Sequence, residues 1–124
     1  MYNLDQAGNV RKDELINLGS LKEYLRKNLN NNSNLELLQY PSGFSNLTYL
    51  IKMGDQEMVL RRPPHGANIK SGHDMHREFK ILSALKDHFS KTPLPIIFCD
   101  DKTIIGNEFY IMEKVNGTIF RGSQ

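Results

Sequence analysis

The chain has 124 residues, enough for one domain that buries roughly two thirds of its unfolded surface. Apolar residues make up 39% and charged residues 24%, an ordinary balance for a globular protein. Sixteen basic and 14 acidic residues leave a net charge of +2, so no strong field selects nucleic acid or an anionic membrane. No apolar run approaches the ~20 residues of a membrane span. The segment Met1-Tyr2-Asn3-Leu4-Asp5 lacks the basic and apolar parts of a signal peptide. Cys99 stands alone and can form no internal disulfide, so a cytoplasmic location is expected.

Residues 1–12 are polar and unpatterned and read as a flexible tail, with residues 13–124 as one folded unit. Asp13 to Leu18 offers one helical turn. Ser20 and Glu23 fit a capping box, and Leu21, Tyr24, Leu25 and Leu29 follow helical spacing. The asparagine-rich tract Asn30 to Asn34 ends that helix, because these side chains compete for backbone hydrogen bonds. Leu35 to Tyr40 is a first strand and Pro41 to Ser45 a turn. Leu47, Tyr49, Ile51 and Met53 then alternate at strand period. Gly54-Asp55 makes a tight connection, Glu57 to Arg61 returns, and Pro63-Pro64 stops that strand. His65 to Lys70 reads as a loop. Ser71 caps the next helix, with Asp74 in its first turn and Met75, Phe79, Leu82 and Leu85 on one face, ending near His88. Pro93-Leu94-Pro95 forces an extended approach to the strand Ile96 to Cys99. Asp100 to Lys102 turns the chain, Gly106-Asn107 bends it again, and Glu108 to Met112 is the last strand. The predicted fold is α+β: a five-stranded antiparallel sheet with one packed helix, preceded by an N-terminal helix.

Three places could carry chemistry. Glu78 lies three residues after Met75 and four before Leu82, on the apolar side of its helix. A carboxylate there needs a cation or several donors. Arg61 shares a strand face with Val59, away from Met58 and Leu60, and could pair with Glu78 while keeping donors for a phosphate. The plainer alternative leaves Glu78 at the core's rim and Arg61 in water. The turn Pro41 to Asn46 contains Gly43, which lets the main chain approach a phosphate, and Ser45 and Asn46 supply donors. A structural hairpin explains the same residues. After Met112, backbone groups of Glu113 and Val115 could face a flat heterocycle where the chain leaves the sheet. A plain strand exit is the alternative. His73 and His76 lie three apart on one helix without a third ligand nearby, so no metal site is expected. Thinly spread lysines and arginines give no nucleic-acid surface.

Taken together, these residues resemble the aminoglycoside phosphotransferase-like family of small-molecule kinases, most closely the phosphotransferase domain found fused to acyl-CoA dehydrogenases. The segments that carry the resemblance are Gly43 to Leu50, Val59 to Pro64, His73 to Phe79, Cys99 to Asp101 with Ile105-Gly106, and Phe109 to Gly117. They span roughly residues 20 to 121 and imply a protein-kinase-like N-terminal lobe that ends just after the hinge. By this resemblance, Gly43, Phe44, Ser45 and Asn46 form the loop over the nucleotide phosphates. Arg61 stands where most kinases carry a lysine, with Glu78 as its helix partner. Val59 roofs the adenine, Met112 is the gatekeeper, and the Glu113 carbonyl and Val115 amide bind the adenine edge. Arginine at position 61 and Ser42 in place of a glycine are departures from the common pattern.

The implied cofactors are ATP and magnesium, with the magnesium ligands and the catalytic aspartate in a second lobe that these residues do not include. The implied acceptor is a small-molecule hydroxyl. The resemblance leaves two functions open: the nucleotide-binding lobe of an ATP-dependent O-phosphotransferase, inactive by itself and cut from a longer protein, or a naturally short homologue that acts as a binding or regulatory module. A lobe without its second half could also self-associate through the surface left uncovered.

Overall fold

In the computed structural model, residues 7–10, 12, 15–40, 47–63, 69–85 and 94–114 are described, with the backbone alone for 69–74. The elements are α1 (Leu18–Leu29), β1 (Leu35–Gln39), β2 (Leu47–Met53), β3 (Gln56–Arg62), α2 (Ile69–Leu85), β4 (Pro95–Cys99) and β5 (Phe109–Glu113). The strands form one sheet in the order β1-β2-β3-β5-β4, and every neighbouring pair is antiparallel. This is the predicted fold class, with the predicted leading helix and one further helix.

Several element ends differ from the sequence reading, each for a local reason. Helix α1 is capped by Asn17, whose side chain accepts a hydrogen bond from the Ser20 amide at 3.0 Å. Ser20 and Glu23 therefore lie inside the helix and form no capping box. Glu23 instead pairs with Arg26 one turn on. The stop was read correctly: Asn30 adopts φ 54°, ψ 41°, the left-handed cap that asparagine tolerates. Helix α2 begins at Ile69, so Ser71 is an interior residue and Lys70 is not loop. The predicted Pro41 to Ser45 turn and the helix end near His88 lie outside the described residues.

The sheet is buried on both faces, which explains why β2 shows only two half-buried positions, Thr48 and Lys52, instead of a clean alternation. On one face, Leu21 and Leu25 of α1 pack with Tyr49, Ile51, Met58, Leu60, Phe109 and Ile111. On the other, Met75 and Leu82 of α2 pack with Leu50, Val59, Tyr110 and Met112. Leu21, Leu25, Met75 and Leu82 are completely buried. A register shift in β4 between Pro95 and Ile97 leaves Ile96 as an added residue. That bulge lets both Ile96 and Ile97 pack on the α1 side. Of residues 1–12, Gly8 exchanges two 2.8 Å backbone hydrogen bonds with Gln39 and so lies against the β1 edge.

The β2–β3 turn shows why Gly54 is a glycine. Its φ is +62°, and a Cβ there would come within 2.7 Å of Ser33 Oγ. Ser33 is itself held in place, because its amide donates to Asn31 Oδ1 at 2.9 Å.

Candidate functional site

Period-two alternation sends Val59 and Arg61 of β3 to the α2 face, together with Tyr110 and Met112 of β5. In register, Arg61 lies opposite Tyr110 and Val59 opposite Met112. Leu50 lies opposite Val59 on the other side. The result is an apolar strip across three strands, Leu50-Val59-Met112, with the guanidinium of Arg61 beside it. Leu50, Val59 and Met112 are all buried within the α2-side cluster.

Arg61 and Glu78 meet. Arg61 Nη1 lies 3.0 Å from Glu78 Oε1, and the two side chains are 6% and 24% exposed. Helical spacing explains the placement of Glu78: it shares its face with Met75 and Leu82, whose burial pins α2 against the sheet. Of the two readings left open by the sequence, the paired one holds. The pair is a triad, however. The Tyr110 hydroxyl donates to Glu78 Oε1 at 2.8 Å and accepts from Arg61 Nη1 at 3.4 Å. Arg61 Nε is buried with no hydrogen-bond partner among the described residues. A buried donor left unmatched costs on the order of 1–3 kcal/mol, which is a reason to look for a ligand.

Burial pushes the Tyr110 phenol well above the usual tyrosine range; Arg61 pulls it down and Glu78 adds to the rise. The hydroxyl therefore stays protonated, and remains a donor to Glu78, across all physiological pH. Phe79 and Phe98 surround this group: Phe79 meets Tyr110 edge-on at 6.0 Å, and His76 stacks on Phe98 at 4.6 Å. His76 is thus engaged with a ring. Among the described residues no three His, Cys, Asp or Glu side chains come together as a metal site.

The other predicted residues divide. Glu113 ends β5 and is exposed; its amide donates to the Leu94 carbonyl at 2.9 Å, while Lys114 Nζ reaches Glu57 Oε1 at 3.3 Å. Gly43, Phe44, Ser45, Asn46 and Val115 lie outside the described residues. Sequence reasoning missed Tyr110. The strand Glu108 to Met112 was read without assigning its faces, although alternation puts Tyr110 on the face of Met112.

Arg62 follows Arg61 in the chain and, despite its charge, is only 8% exposed. It points to the opposite face, where Nε and Nη2 donate to the Tyr49 hydroxyl at 3.0 and 2.8 Å. Its guanidinium carbon lies 5.4 Å from the centre of the Tyr49 ring, and Nη1 reaches Asn107 Oδ1 at 3.5 Å.

Comparison with known proteins extends this geometry. Mouse acyl-CoA dehydrogenase family member 10 is 40% identical over 114 residues, which cover 90% of this chain and 11% of the relative. Human acyl-CoA dehydrogenase family member 11 is 40% identical over 107 residues, covering 82% of this chain and 14% of that protein. The chain therefore spans only a small part of the curated relatives it matches. A crystal structure from Ralstonia eutropha, of a protein classed as an aminoglycoside phosphotransferase, superposes with a TM-score of 0.69 at 26% identity. The match covers 86% of this chain and 30% of that one. Residues 36–124, which hold the whole sheet except one residue of β1, match the phosphotransferase enzyme family, and the chain belongs to it.

Proposed function

We propose that this chain is the nucleotide-binding lobe of an ATP-dependent small-molecule O-phosphotransferase. The observation that carries the reading is the Arg61–Glu78 pair at 3.0 Å, with Arg61 Nε unmatched among the described residues beside the strip formed by Leu50, Val59 and Met112. A guanidinium anchored on one side by a carboxylate can hold an anion with its remaining donors. A flat apolar strip next to it suits a purine. The donor set fits a nucleoside triphosphate: Arg61 would hold phosphate oxygens, Val59 and Met112 would line the base, and the backbone at Glu113 and Val115 would meet its edge. Gly43, Phe44, Ser45 and Asn46 would supply the loop above the phosphates.

When bound, ATP supplies the phosphoryl group. Arg61 orients it and offsets its charge, and Glu78 keeps Arg61 extended toward it. By the resemblance, the magnesium ligands and the base that activates the acceptor hydroxyl belong to a second lobe that these residues do not include. By this reading the chain alone does not transfer phosphate, and it binds ATP weakly because only half of the cleft is present. The identity of the acceptor hydroxyl compound is set by residues outside this lobe. No helix among the described residues is long and apolar enough to cross a membrane.

Titration of the chain with ATP, followed by backbone amide NMR shifts, tests the reading. Shifts along β3 and β5 at millimolar ATP, abolished by Arg61→Ala, are expected. An absence of shifts, shifts untouched by Arg61→Ala, or phosphate transfer by the chain alone would overturn it.

A further inference from the structure

We infer that Tyr110 is a positioning residue of the phosphate clamp, a role that rests on the nucleotide-binding reading above. Its hydroxyl lies between the two charged groups, 2.8 Å from Glu78 Oε1 and 3.4 Å from Arg61 Nη1. It is completely buried, and Arg61 is nearly so. Glu78 is the more exposed member: its side chain sits on a helix and is 24% exposed against 6% for Arg61, so solvent competes for it. A rigid phenol on the sheet that donates to this carboxylate holds it over Arg61. The carboxylate in turn fixes one end of the guanidinium, and Arg61 Nε is left as a buried donor unmatched among the described residues.

The geometry assigns a division of labour. Arg61 binds the anion, Glu78 aligns Arg61, and Tyr110 aligns Glu78 without touching the nucleotide. Because Tyr110 is two residues before Met112 on β5, the same strand that lines the base also fixes the phosphate clamp. Adjustment of β5 by a bound base would pass to Arg61 through the phenol. The aromatic packing around the ring, Phe79 at 6.0 Å edge-on and Phe98 behind it, keeps the ring in place whether or not the hydroxyl is present. Tyr110→Phe therefore separates the positioning role from the packing role.

The experiment compares the parent chain, Tyr110→Phe and Arg61→Ala by ATP titration and by solvent exchange of the Arg61 guanidinium protons, both read by NMR. Loss of one hydrogen bond to a charged group should weaken ATP binding about tenfold in Tyr110→Phe and speed guanidinium proton exchange about as much. The amide spectrum should otherwise stay that of the parent. If Arg61→Ala abolishes binding while Tyr110→Phe alters neither readout, the positioning role is wrong and the nucleotide reading stands. If the parent does not bind, or Arg61→Ala binds equally well, the nucleotide reading fails and takes this role with it. Should Arg61→Ala not fold, Glu78→Gln replaces it, because it keeps an acceptor for Tyr110 while removing the charge that faces Arg61.

Discussion

Arg61 and Arg62 are neighbours in sequence, both buried, and sit on opposite faces of one sheet. Arg61 faces a carboxylate and, among the described residues, keeps a donor unmatched. Arg62 faces Tyr49, whose hydroxyl takes two of its donors and whose ring centre lies 5.4 Å from its guanidinium carbon, and the amide oxygen of Asn107. The α1 side uses its arginine as part of a packed core. The α2 side leaves its arginine charged, aligned and incompletely satisfied. Burial alone does not tell the two arginines apart; the chemistry and completeness of the partner set do.

That contrast can be tested by removing each side chain in turn. Arg61→Ala strips a partly buried carboxylate of its cation, so a loss of about 3 kcal/mol is expected, the low end for a broken buried pair because Glu78 is a quarter exposed. Arg62→Ala leaves a neutral phenol behind and should lose about 2 kcal/mol, from its hydrogen bonds and packed stem. Urea unfolding of both variants gives the order. Equal losses would mean that the two arginines are alike, and a loss near zero for Arg62→Ala would mean that its contacts with Tyr49 do not stabilise the fold.

A cap on the α1 side should matter less. Asn17→Ala removes the acceptor for the Ser20 amide and should cost about 1 kcal/mol, visible as a lower urea midpoint at unchanged slope. An unmoved midpoint would return the cap to Ser20.

The smallest effect is confined to alkaline pH. The phenol of Tyr110 titrates higher when folded than when unfolded, mainly through burial. The folded state then holds a proton that the unfolded state releases, so this contribution is complete below the unfolded tyrosine value of about 10 and is lost as pH rises toward the folded one. Stability should fall with pH in that window, and Tyr110→Phe should flatten part of the slope. Tyr24 and Cys99, both also raised mainly by burial, contribute to the remainder. An identical slope in Tyr110→Phe would show that the phenol ionises as freely in the fold as outside it.

The strands were legible because each carries its own pattern. Leu47, Tyr49, Ile51 and Met53 point one way, Gly54-Asp55 closes the hairpin, and the Leu47–Met53 boundaries match the reading. The Arg61–Glu78 pairing was legible in part, because helix spacing and strand alternation each restricted one member to one face. Tyr110 was not, since its partner strand β3 lies far away in sequence and no local pattern gives the register between them. The α1 cap was misread because Asn17 and Ser20 both suit the position, and only the geometry decides between them. Arg62 was in fact readable. Alternation places it with Met58 and Leu60, and its charge hid that placement.

One consequence follows from Arg61 lying opposite Tyr110. A slip of β5 by a single position would turn Tyr110 toward α1 and set Ile111 against a guanidinium and a carboxylate, stranding both. Correct strand alignment and a correctly built ionic cluster thus enforce each other. A misthreaded sheet would be rejected by its own charges before any ligand arrived.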